Sequence, residues 1–371
     1  MRVVFAGGGT GGHVYPALAV AEELMKKSPD SEILFIGGTR GIEQKIIGCS
    51  GFPVKTIPVS GFPRRLSFAM VAFAWKLMIS IIRSLWILAK FKPAVIMATG
   101  GYVSGPPFIA ARLLKIPVTI QEQNSYPGIT NRKLARFADM VFLGFQDAKK
   151  FFKNTVDTAY TGNPVRKEIG AGDRESAARS FGLDPAVKTL LVIGGSQGSQ
   201  AINRALSRII ESLTERGIQV LWQAGDREFP IWKEFDGRGG KIHVLPYITR
   251  MADAYAASDL VLARSGAMSI AEITACGLPA IFIPLPSAAA NHQEYNARSI
   301  ADAGGAVMIL ERDLTPELLL REVLGVLESD ERRKAMGEAS LRMGKRDAAR
   351  VIAEKLIERY GSRDGQKCVS L

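Results

Sequence analysis

Short runs of β-branched and apolar residues alternate with longer helical patterns along nearly the whole chain. Alternation of this kind is typical of parallel βαβ units, in which each helix returns the chain to the same end of a sheet. The runs with the length and composition of strands are residues 3–6, 33–36, 54–59, 94–98, 118–121, 140–143, 189–193, 219–223, 242–245, 260–263, 280–283 and 306–309. The pattern predicts an α/β fold with two doubly wound parallel sheets.

A Gly-Asn-Pro sequence at residues 162–164 separates the two series of strands. Glycine and proline punctuate secondary structure, and a chain of 371 residues exceeds what one hydrophobic core usually serves. We therefore predict a first domain over residues 1–163, a second over 164–344, a helix over 345–360 that packs back on the first domain, and a loose tail over 361–371. Ligands of such folds bind outside the carboxyl ends of the strands, so we expect the site in a cleft between the domains.

The chain carries 48 Lys and Arg against 36 Asp and Glu, which gives a formal net charge of +12. A surplus of that size favours an anionic partner such as nucleic acid, phospholipid or a diphosphate. The three cysteines lie far apart in the sequence, which indicates neither a zinc site nor a disulfide framework. The first predicted strand begins close to Arg2, so we expect no signal peptide and a cytoplasmic location.

A glycine-rich loop, Gly-Gly-Gly-Thr-Gly-Gly-His at residues 7–13, follows the first strand directly and opens a helix. A second loop, Gly-Gly-Ser-Gln-Gly-Ser at residues 194–199, follows the strand over 189–193 in the same way. Glycines let a backbone approach a ligand closely, and the amino end of a helix presents N–H groups to an anion. These loops predict binding of phosphate or diphosphate groups, and the second lacks the P-loop lysine that would indicate ATP.

A third strand-to-helix turn spans residues 263–272 and ends in Glu272. A carboxylate one helical turn beyond such a loop can accept both hydroxyls of a ribose, and we predict this role for Glu272. Dinucleotide-binding dehydrogenases place an acidic residue at the end of the second strand, where this chain has Ile-Gly-Gly-Thr at residues 36–39. That difference weakens a nicotinamide-dependent oxidoreductase as the interpretation.

Five further motifs accompany these loops. They are Gly-Gly-Tyr-Val-Ser-Gly-Pro at 100–106, Glu-Gln-Asn at 122–124, Gly-Ile-Thr-Asn at 128–131, Gly-Asn-Pro-Val-Arg at 162–166 and His-Gln-Glu-Tyr-Asn-Ala at 292–297. Taken together, from about residue 2 to residue 355, the motifs resemble those of the bacterial MurG-type transferases. That family moves N-acetylglucosamine from UDP-N-acetylglucosamine to the undecaprenyl-diphosphate-linked N-acetylmuramyl pentapeptide (lipid I), which gives lipid II for peptidoglycan.

The resemblance implies a GT-B fold whose first domain holds the acceptor and the membrane and whose second domain holds the donor, with inversion of the anomeric centre. The residues that it implies as donor contacts are Thr10, Gly11, Gly12, Asn124, Arg166, Ser196, Ile248, Ala267, Met268, Ser269, Ile270, Ala271, Glu272 and Gln293. On the acceptor side it implies Gly101, Tyr102 and Asn131. The chain departs from the family at Gln121, where histidine is frequent, so no histidine can act at that position.

Transfer to a sugar hydroxyl requires a base that takes the hydroxyl proton while the anomeric carbon loses UDP. The chain has three histidines, His13, His243 and His292. His243 falls inside a strand pattern, whereas His13 lies at the amino end of a helix, whose dipole disfavours the imidazolium. We predict that His13 is the general base. The alternative is that His13 only hydrogen-bonds a phosphate or caps the loop.

The apolar stretch over residues 66–89 is interrupted by Lys76 and Arg83, so we expect it not to span a bilayer. On a helix it would have one face suited to the protein core and a second, apolar and basic face. The side chains predicted for this second face are Trp75, Lys76, Ile79, Ile82, Arg83 and Trp86. Tryptophan beside cations suits the headgroup region of an anionic leaflet. We hypothesise that this face docks the protein peripherally on the cytoplasmic face of the bacterial membrane; the alternative is a helix buried between two neighbours.

Other functions stay open at this level. Another UDP-sugar glycolipid transferase or a UDP-sugar 2-epimerase would carry similar glycine loops. A nucleotide-sensing peripheral membrane protein is a non-enzymatic alternative. We expect no nucleic-acid partner, because the sequence has no recognised RNA- or DNA-binding motif.

The sequence predicts transfer without a metal or other cofactor. A leaving diphosphate is stabilised either by a divalent cation or by oriented N–H donors, and the chain has no Asp-x-Asp pair. We assign that stabilisation to the loop at residues 194–199 and to Arg166.

Transfer measured in excess EDTA should therefore match transfer in untreated buffer. A loss of activity that added magnesium restores would contradict this prediction.

Overall fold

The computed structural model describes residues 1–39, 43–61, 68–152, 156–195 and 197–361. The chain forms two compact units. The first comprises Met1–Arg166 and the segment from Asp347 onward, and the second comprises Lys167–Arg346. The predicted loose tail, apart from Gly361, lies outside the described residues.

The first unit is built on a seven-stranded sheet. Its strands are β1 (Arg2–Gly7), β2 (Glu32–Gly38), β3 (Val54–Ile57), β4 (Val95–Gly100), β5 (Val118–Glu122), β6 (Met140–Leu143) and β7 (Thr158–Tyr160). They lie in the order β3-β2-β1-β4-β5-β6-β7, and every neighbouring pair is parallel. The helices that connect them are α1 (Gly11–Lys27), α2 (Glu43–Cys49), α3 (Phe68–Phe91), α4 (Gly105–Leu113) and α5 (Ile129–Leu134).

The second unit has a six-stranded parallel sheet. Its strands are β8 (Thr189–Ile193), β9 (Gln219–Gln223), β10 (Ile242–Leu245), β11 (Leu260–Ala263), β12 (Ala280–Phe282) and β13 (Ala306–Met308), in the order β10-β9-β8-β11-β12-β13. Its helices are α6 (Arg174–Ser180), α7 (Gln200–Ser207), α8 (Ile210–Glu215), α9 (Phe229–Trp232), α10 (Met251–Ala256), α11 (Ala267–Ala275), α12 (His292–Asp302), α13 (Pro316–Leu327) and α14 (Asp330–Met343). Short 3₁₀ helices in the chain occupy Ala135–Phe137, Gln146–Phe151, Lys233–Phe235, Arg238–Gly240, Ala289–Asn291 and Glu311–Asp313.

Helices cover both faces of the first sheet, and this is why its strands are apolar at nearly every position rather than at alternate ones. Val3 and Phe5 of β1 belong to one buried cluster, while Val4 and Ala6 belong to another on the opposite face. The last helix, α15 (Ala348–Tyr360), contributes to the first of these clusters and packs against α1. The prediction of two parallel-sheet domains of the Rossmann type is confirmed.

Helix α3 is buried on one face only. Ser80, Ser84 and Leu88 are fully buried, and the Ser80 hydroxyl donates to the carbonyl of Pro58 at 2.5 Å. The stretch Met70–Phe91 is nonetheless long and apolar enough to cross a membrane, judged by length and composition alone, and only a minority of its residues are buried. The mean hydropathy of this stretch is 1.7 with both cations included, and the expectation that it does not span a bilayer stays a prediction.

Candidate functional site

The strand order of the first sheet reverses between β1 and β4, and the loops after these two strands lie side by side. Gly7 pairs with Gly100 in the parallel ladder. The contact is so close that a Cβ on Gly101, whose φ is +76°, would lie 2.3 Å from the carbonyl oxygen of Gly8. A reversal of this kind is where open parallel sheets bind their ligands. Only glycine fits this crossing of the loops.

His13 lies at this crossing, in the first turn of α1. Its Nδ1 is 3.1 Å from the carbonyl oxygen of Gly8 and 3.2 Å from the hydroxyl oxygen of Thr10. A carbonyl oxygen only accepts hydrogen bonds, so the proton of a neutral ring is on Nδ1 and the lone pair is on Nε2. The ring also packs against Gly100, because a Cβ there would be 2.9 Å from Cδ2 and 3.1 Å from Nε2. The imidazole is thus held in one orientation, with Nδ1 toward the Gly8 carbonyl and Nε2 toward Gly100.

Glu122 is the last residue of β5 and is almost completely buried. One carboxylate oxygen accepts from the backbone N–H of Asn124 at 2.8 Å and from its side-chain amide at 3.2 Å. The other accepts from the backbone N–H of Gly128 at 3.1 Å and from the Asn131 amide at 2.8 Å. Burial raises the pKa of Glu122 above its usual range, and the four donors act against that shift. The carboxylate therefore fixes two predicted site residues, Asn124 and Asn131, on one short segment.

Gln121, the position at which the family often has histidine, is fully buried. Its side-chain amide donates to Asn163 at 2.9 Å, and Asn163 in turn donates to the carbonyl of Gln123 at 2.8 Å. The Gln123 amide donates to the carbonyl of Thr99 at 2.8 Å and to the Gln121 side-chain oxygen. Gln121 is therefore a structural residue that ties the end of β5 to the segment leaving the first unit.

The second unit has a cavity of about 660 Å³ at the corresponding reversal, between β8 and β11. The loop after β8 and the first turn of α11 form its walls, with Ser269 and Gln293 among the lining residues. The loop is packed tightly: Gly198 has a φ of +77°, and a Cβ there would lie 2.1 Å from the carbonyl oxygen of Ala224. Ser199 caps α7, and its hydroxyl accepts from the backbone N–H of Ile202.

Gln223, the last residue of β9, holds this site together. Its side-chain amide donates to the carbonyl of Gly195 at 2.8 Å, and its side-chain oxygen accepts from the backbone N–H of Ile248 at 3.0 Å. The glycine loop and the segment after β10 are therefore joined by one buried amide. Because the Ile248 N–H is paired, a nucleobase contact at this residue would use its carbonyl.

Two arginines line the cavity, and they differ in their environment. Arg264 is buried, donates to the carbonyls of Ile283 and Pro284 at 3.1 Å each, and forms an ion pair with Glu311. Arg204, on α7, is exposed. Arg204 is thus the lining cation that can reach an anionic ligand, although it lies outside the glycine loop and the other sequence motifs.

The remaining predicted donor residues are distributed over both units. Glu272 accepts a hydrogen bond from the Tyr255 hydroxyl at 3.2 Å and is not among the residues that line the cavity. Arg166 lies over the ring of Tyr15, with 5.5 Å between the guanidinium carbon and the ring centroid. On α11, Ala267 and Ile270 are buried, whereas Met268, Ser269 and Ala271 are partly exposed. Ser196 lies outside the described residues.

The sequence predicted no individual role for Glu122 or Gln223, although their hydrogen bonds organise the two sites. Each is the last residue of a strand that is buried throughout, at the edge of the sheet where ligands bind. A polar side chain at that position is the signal that could have identified both.

Both units match the models of one protein family. Residues 3–143 match the Glycosyltransferase family 28 N-terminal domain, and residues 189–352 match the Glycosyltransferase family 28 C-terminal domain. The chain is also similar to named transferases over nearly its whole length.

A relative from Clostridioides difficile (strain 630) is 41% identical over 370 residues, which cover 98% of this chain and 90% of the relative. A relative from Desulforamulus reducens is 40% identical over 372 residues, which cover 97% of this chain and 100% of the relative. Both are named UDP-N-acetylglucosamine–N-acetylmuramyl-(pentapeptide) pyrophosphoryl-undecaprenol N-acetylglucosamine transferase.

Among solved structures, Acinetobacter baumannii MurG is similar with a TM-score of 0.77 and 27% identity, over 96% of this chain and 99% of that one. The UDP-GlcNAc 2-epimerase from Neisseria meningitidis has a TM-score of 0.69 at 16% identity, over 97% of this chain and 100% of that one. The second similarity shows a shared fold and nothing more.

Replacing Glu122 by Gln should impair the site while the fold persists. The new amide would present N–H groups to neighbours that are themselves donors, at a cost of about 1–3 kcal/mol. We expect kcat/KM for transfer to fall by roughly tenfold to a hundredfold. The matched control is Asp30→Asn, which makes the same chemical change at an exposed position. Unchanged kinetics in E122Q would show that Glu122 does not position the site.

Proposed function

The chain belongs to the MurG-type transferases of glycosyltransferase family 28, and we propose which of its residues carry out the reaction. The protein transfers N-acetylglucosamine from UDP-N-acetylglucosamine to N-acetylmuramyl-(pentapeptide) pyrophosphoryl-undecaprenol. The observation that carries this conclusion is 41% identity to a transferase of that name across 98% of the chain, so that both units are included.

The donor binds in the cavity of the second unit. The loop after β8 and the amino end of α7 supply backbone N–H groups for the diphosphate, since the orphan donors of a helix start attract anions. Arg204 adds a full positive charge there, and Arg166 remains a proposed contact of the same group. These donors are already oriented toward the position where negative charge develops on the departing UDP. Preorganised donors of this kind stabilise the transition state and lower the activation barrier for transfer.

The acceptor hydroxyl gives its proton to Nε2 of His13. The Nδ1 proton is engaged by Gly8, so the neutral ring can accept at Nε2 without a change of tautomer. The hydroxyl oxygen then bonds to the anomeric carbon as the bond from that carbon to the UDP oxygen breaks, which inverts the anomeric centre. Gly101, Tyr102 and Asn131 hold the acceptor beside this ring.

An anionic phospholipid surface is the second proposed partner, at the cytoplasmic face of the membrane. The exposed fractions of Trp75 and Trp86 on α3 are 61% and 64%, and Ile82 is 58% exposed. The ammonium group of Lys90 lies 5.4 Å from the centroid of the Trp86 ring. Exposed tryptophans beside cations favour the headgroup region, where the ring and the charge are both accommodated. The opposite face of α3 packs on the first unit, which favours peripheral attachment.

Transfer and the role of His13 can be tested in one assay. Radiolabelled UDP-N-acetylglucosamine is incubated with an acceptor analogue that carries the N-acetylmuramyl-pentapeptide diphosphate, and label in the acceptor is measured. In His13→Ala we expect transfer to be slower by about 10²- to 10⁴-fold, because a general base is lost, while binding of UDP-N-acetylglucosamine is retained.

Two outcomes would contradict these assignments separately. Label that stays in a free sugar nucleotide, as a 2-epimerase would leave it, would defeat the transferase activity. Transfer by H13A within a few-fold of the unmodified protein would leave the transferase activity standing and defeat only the role of His13 as base.

Replacing Trp75 and Trp86 by Ser should weaken sedimentation with anionic liposomes by at least about fivefold, because two large apolar side chains no longer enter the interface. Transfer to a water-soluble acceptor analogue should be unchanged. The matched control replaces Ile231 and Leu341, two exposed apolar residues of the second unit, by Ser. Liposome binding that survives the tryptophan substitutions would exclude this face as the docking surface.

A further inference from the structure

The first unit also has a cavity, of about 690 Å³, and of its described lining residues only Tyr102 has a role in the proposed reaction. It lies among α3, α4, α5 and the segment after β3. Its walls are largely apolar, with Phe73 and Leu77 from α3, Ile109 from α4 and Leu134 from α5. The volume falls within the range of about 300–1,000 Å³ that is usual for small-molecule sites.

Two lysines line the same cavity. Lys76 of α3 and Lys133 of α5 are both exposed, and none of the described residues that line the cavity is acidic. The hydroxyl-bearing residues Ser60 and Thr130 add hydrogen-bonding groups. An apolar chamber with cations and no carboxylate suits a ligand that is part hydrocarbon and part anion.

Two segments of the chain connect the lining of this cavity to the surroundings of the His13 ring. Gly101 packs against that ring, since a Cβ at Gly101 would be 3.4 Å from His13 Nδ1, and the next residue, Tyr102, lines the cavity. Helix α5 also connects the cavity to the loop that contacts His13. The Asn131 amide is 3.7 Å from the Cβ position of Gly100, while Lys133 of the same helix lines the cavity.

We propose that this cavity binds the diphosphate-proximal isoprene units of the lipid acceptor, with Lys133 and Lys76 on the diphosphate. The inference rests on the proposed function, since it takes the acceptor to be a saccharide joined through a diphosphate to a polyprenyl chain. The order of groups along that acceptor matches the order on the protein. The saccharide lies at His13, the phosphates lie at the lysines, the first prenyl carbons lie in the cavity, and the rest of the chain leaves along the exposed face of α3.

The test compares two synthetic acceptors without vesicles, each below its critical micelle concentration. Both carry the N-acetylmuramyl-pentapeptide diphosphate; one ends in a ten-carbon prenyl chain and the other in a methyl group. We expect the KM of the prenyl acceptor to be at least about tenfold lower for the unmodified protein. Ile109→Trp fills the cavity and should remove that difference, while the KM of the donor stays the same.

The matched control for Ile109→Trp is Leu113→Trp, at an exposed position near the end of α4 that does not line the cavity. Ile129 is 63% exposed at the rim, so Ile129→Asp should fold even if the larger substitution does not. Its carboxylate should raise the KM of both acceptors at least about fivefold by repelling their diphosphate. Lys133→Ala should have an effect in the same direction, and Lys149→Ala, at an exposed site outside the cavity, should not.

The outcomes separate the two proposals. No transfer to either acceptor would defeat the proposed function itself. Transfer with equal KM values for the two acceptors in the unmodified protein, or a tail preference that persists in I109W, would overturn the prenyl site and leave the transferase activity intact. Equal losses on both acceptors in I109W would also overturn it, because the cavity would then serve the fold or the saccharide.

Discussion

The parallel pairing of β1 with β4 is the interaction on which the first site depends. The two strands carry the loops that meet at the reversal of strand order, and Gly7 opposite Gly100 brings those loops into backbone contact. His13 is held in the angle between them by Gly8 on one side and Gly100 on the other. A side chain at Gly101 would push the loops apart and release the ring, so the chemistry of the site follows from how closely two backbones approach.

In the second unit the glycine loop is held in place by a side chain rather than by contact between two backbones. Its glycine loop is also placed by a reversal, between β8 and β11, but the loop is secured from the neighbouring strand by Gln223. That side chain binds Gly195 and Ile248 at once, so movement of either segment would cost a buried hydrogen bond. Oriented N–H donors contribute to catalysis only if they need not reorganise, and a loop fixed from two sides meets that condition.

Periodicity predicted the two sheets because strands covered on both faces are apolar at consecutive positions, a signal that is local in sequence. β7 was missed because Thr158–Tyr160 is only three residues long and none of them is buried. The hydrogen bonds of Gln223 join two segments that only the folded chain brings together, so no pattern of spacing could reveal its partners. The partners of Glu122 are local in sequence, but a local pattern does not show which of them a buried carboxylate will bind.

Buried polar groups at the sheet edge in the first unit divide into a neutral and an ionisable set, and the difference follows from their neighbours. Gln121, Gln123 and Asn163 each offer both donors and acceptors, and they satisfy one another in a closed arrangement. Four N–H groups donate hydrogen bonds to the Glu122 side chain, and a carboxylate can accept all four. The NH₂ group of an amide at this position would instead lie against other N–H donors. Burial disfavours the charged form of Glu122 and raises its pKa. The hydrogen bonds from Asn124, Gly128 and Asn131 favour the charged form, and all three residues are joined through this one carboxylate. A carboxylate at this position therefore holds this glycine-containing turn in one arrangement.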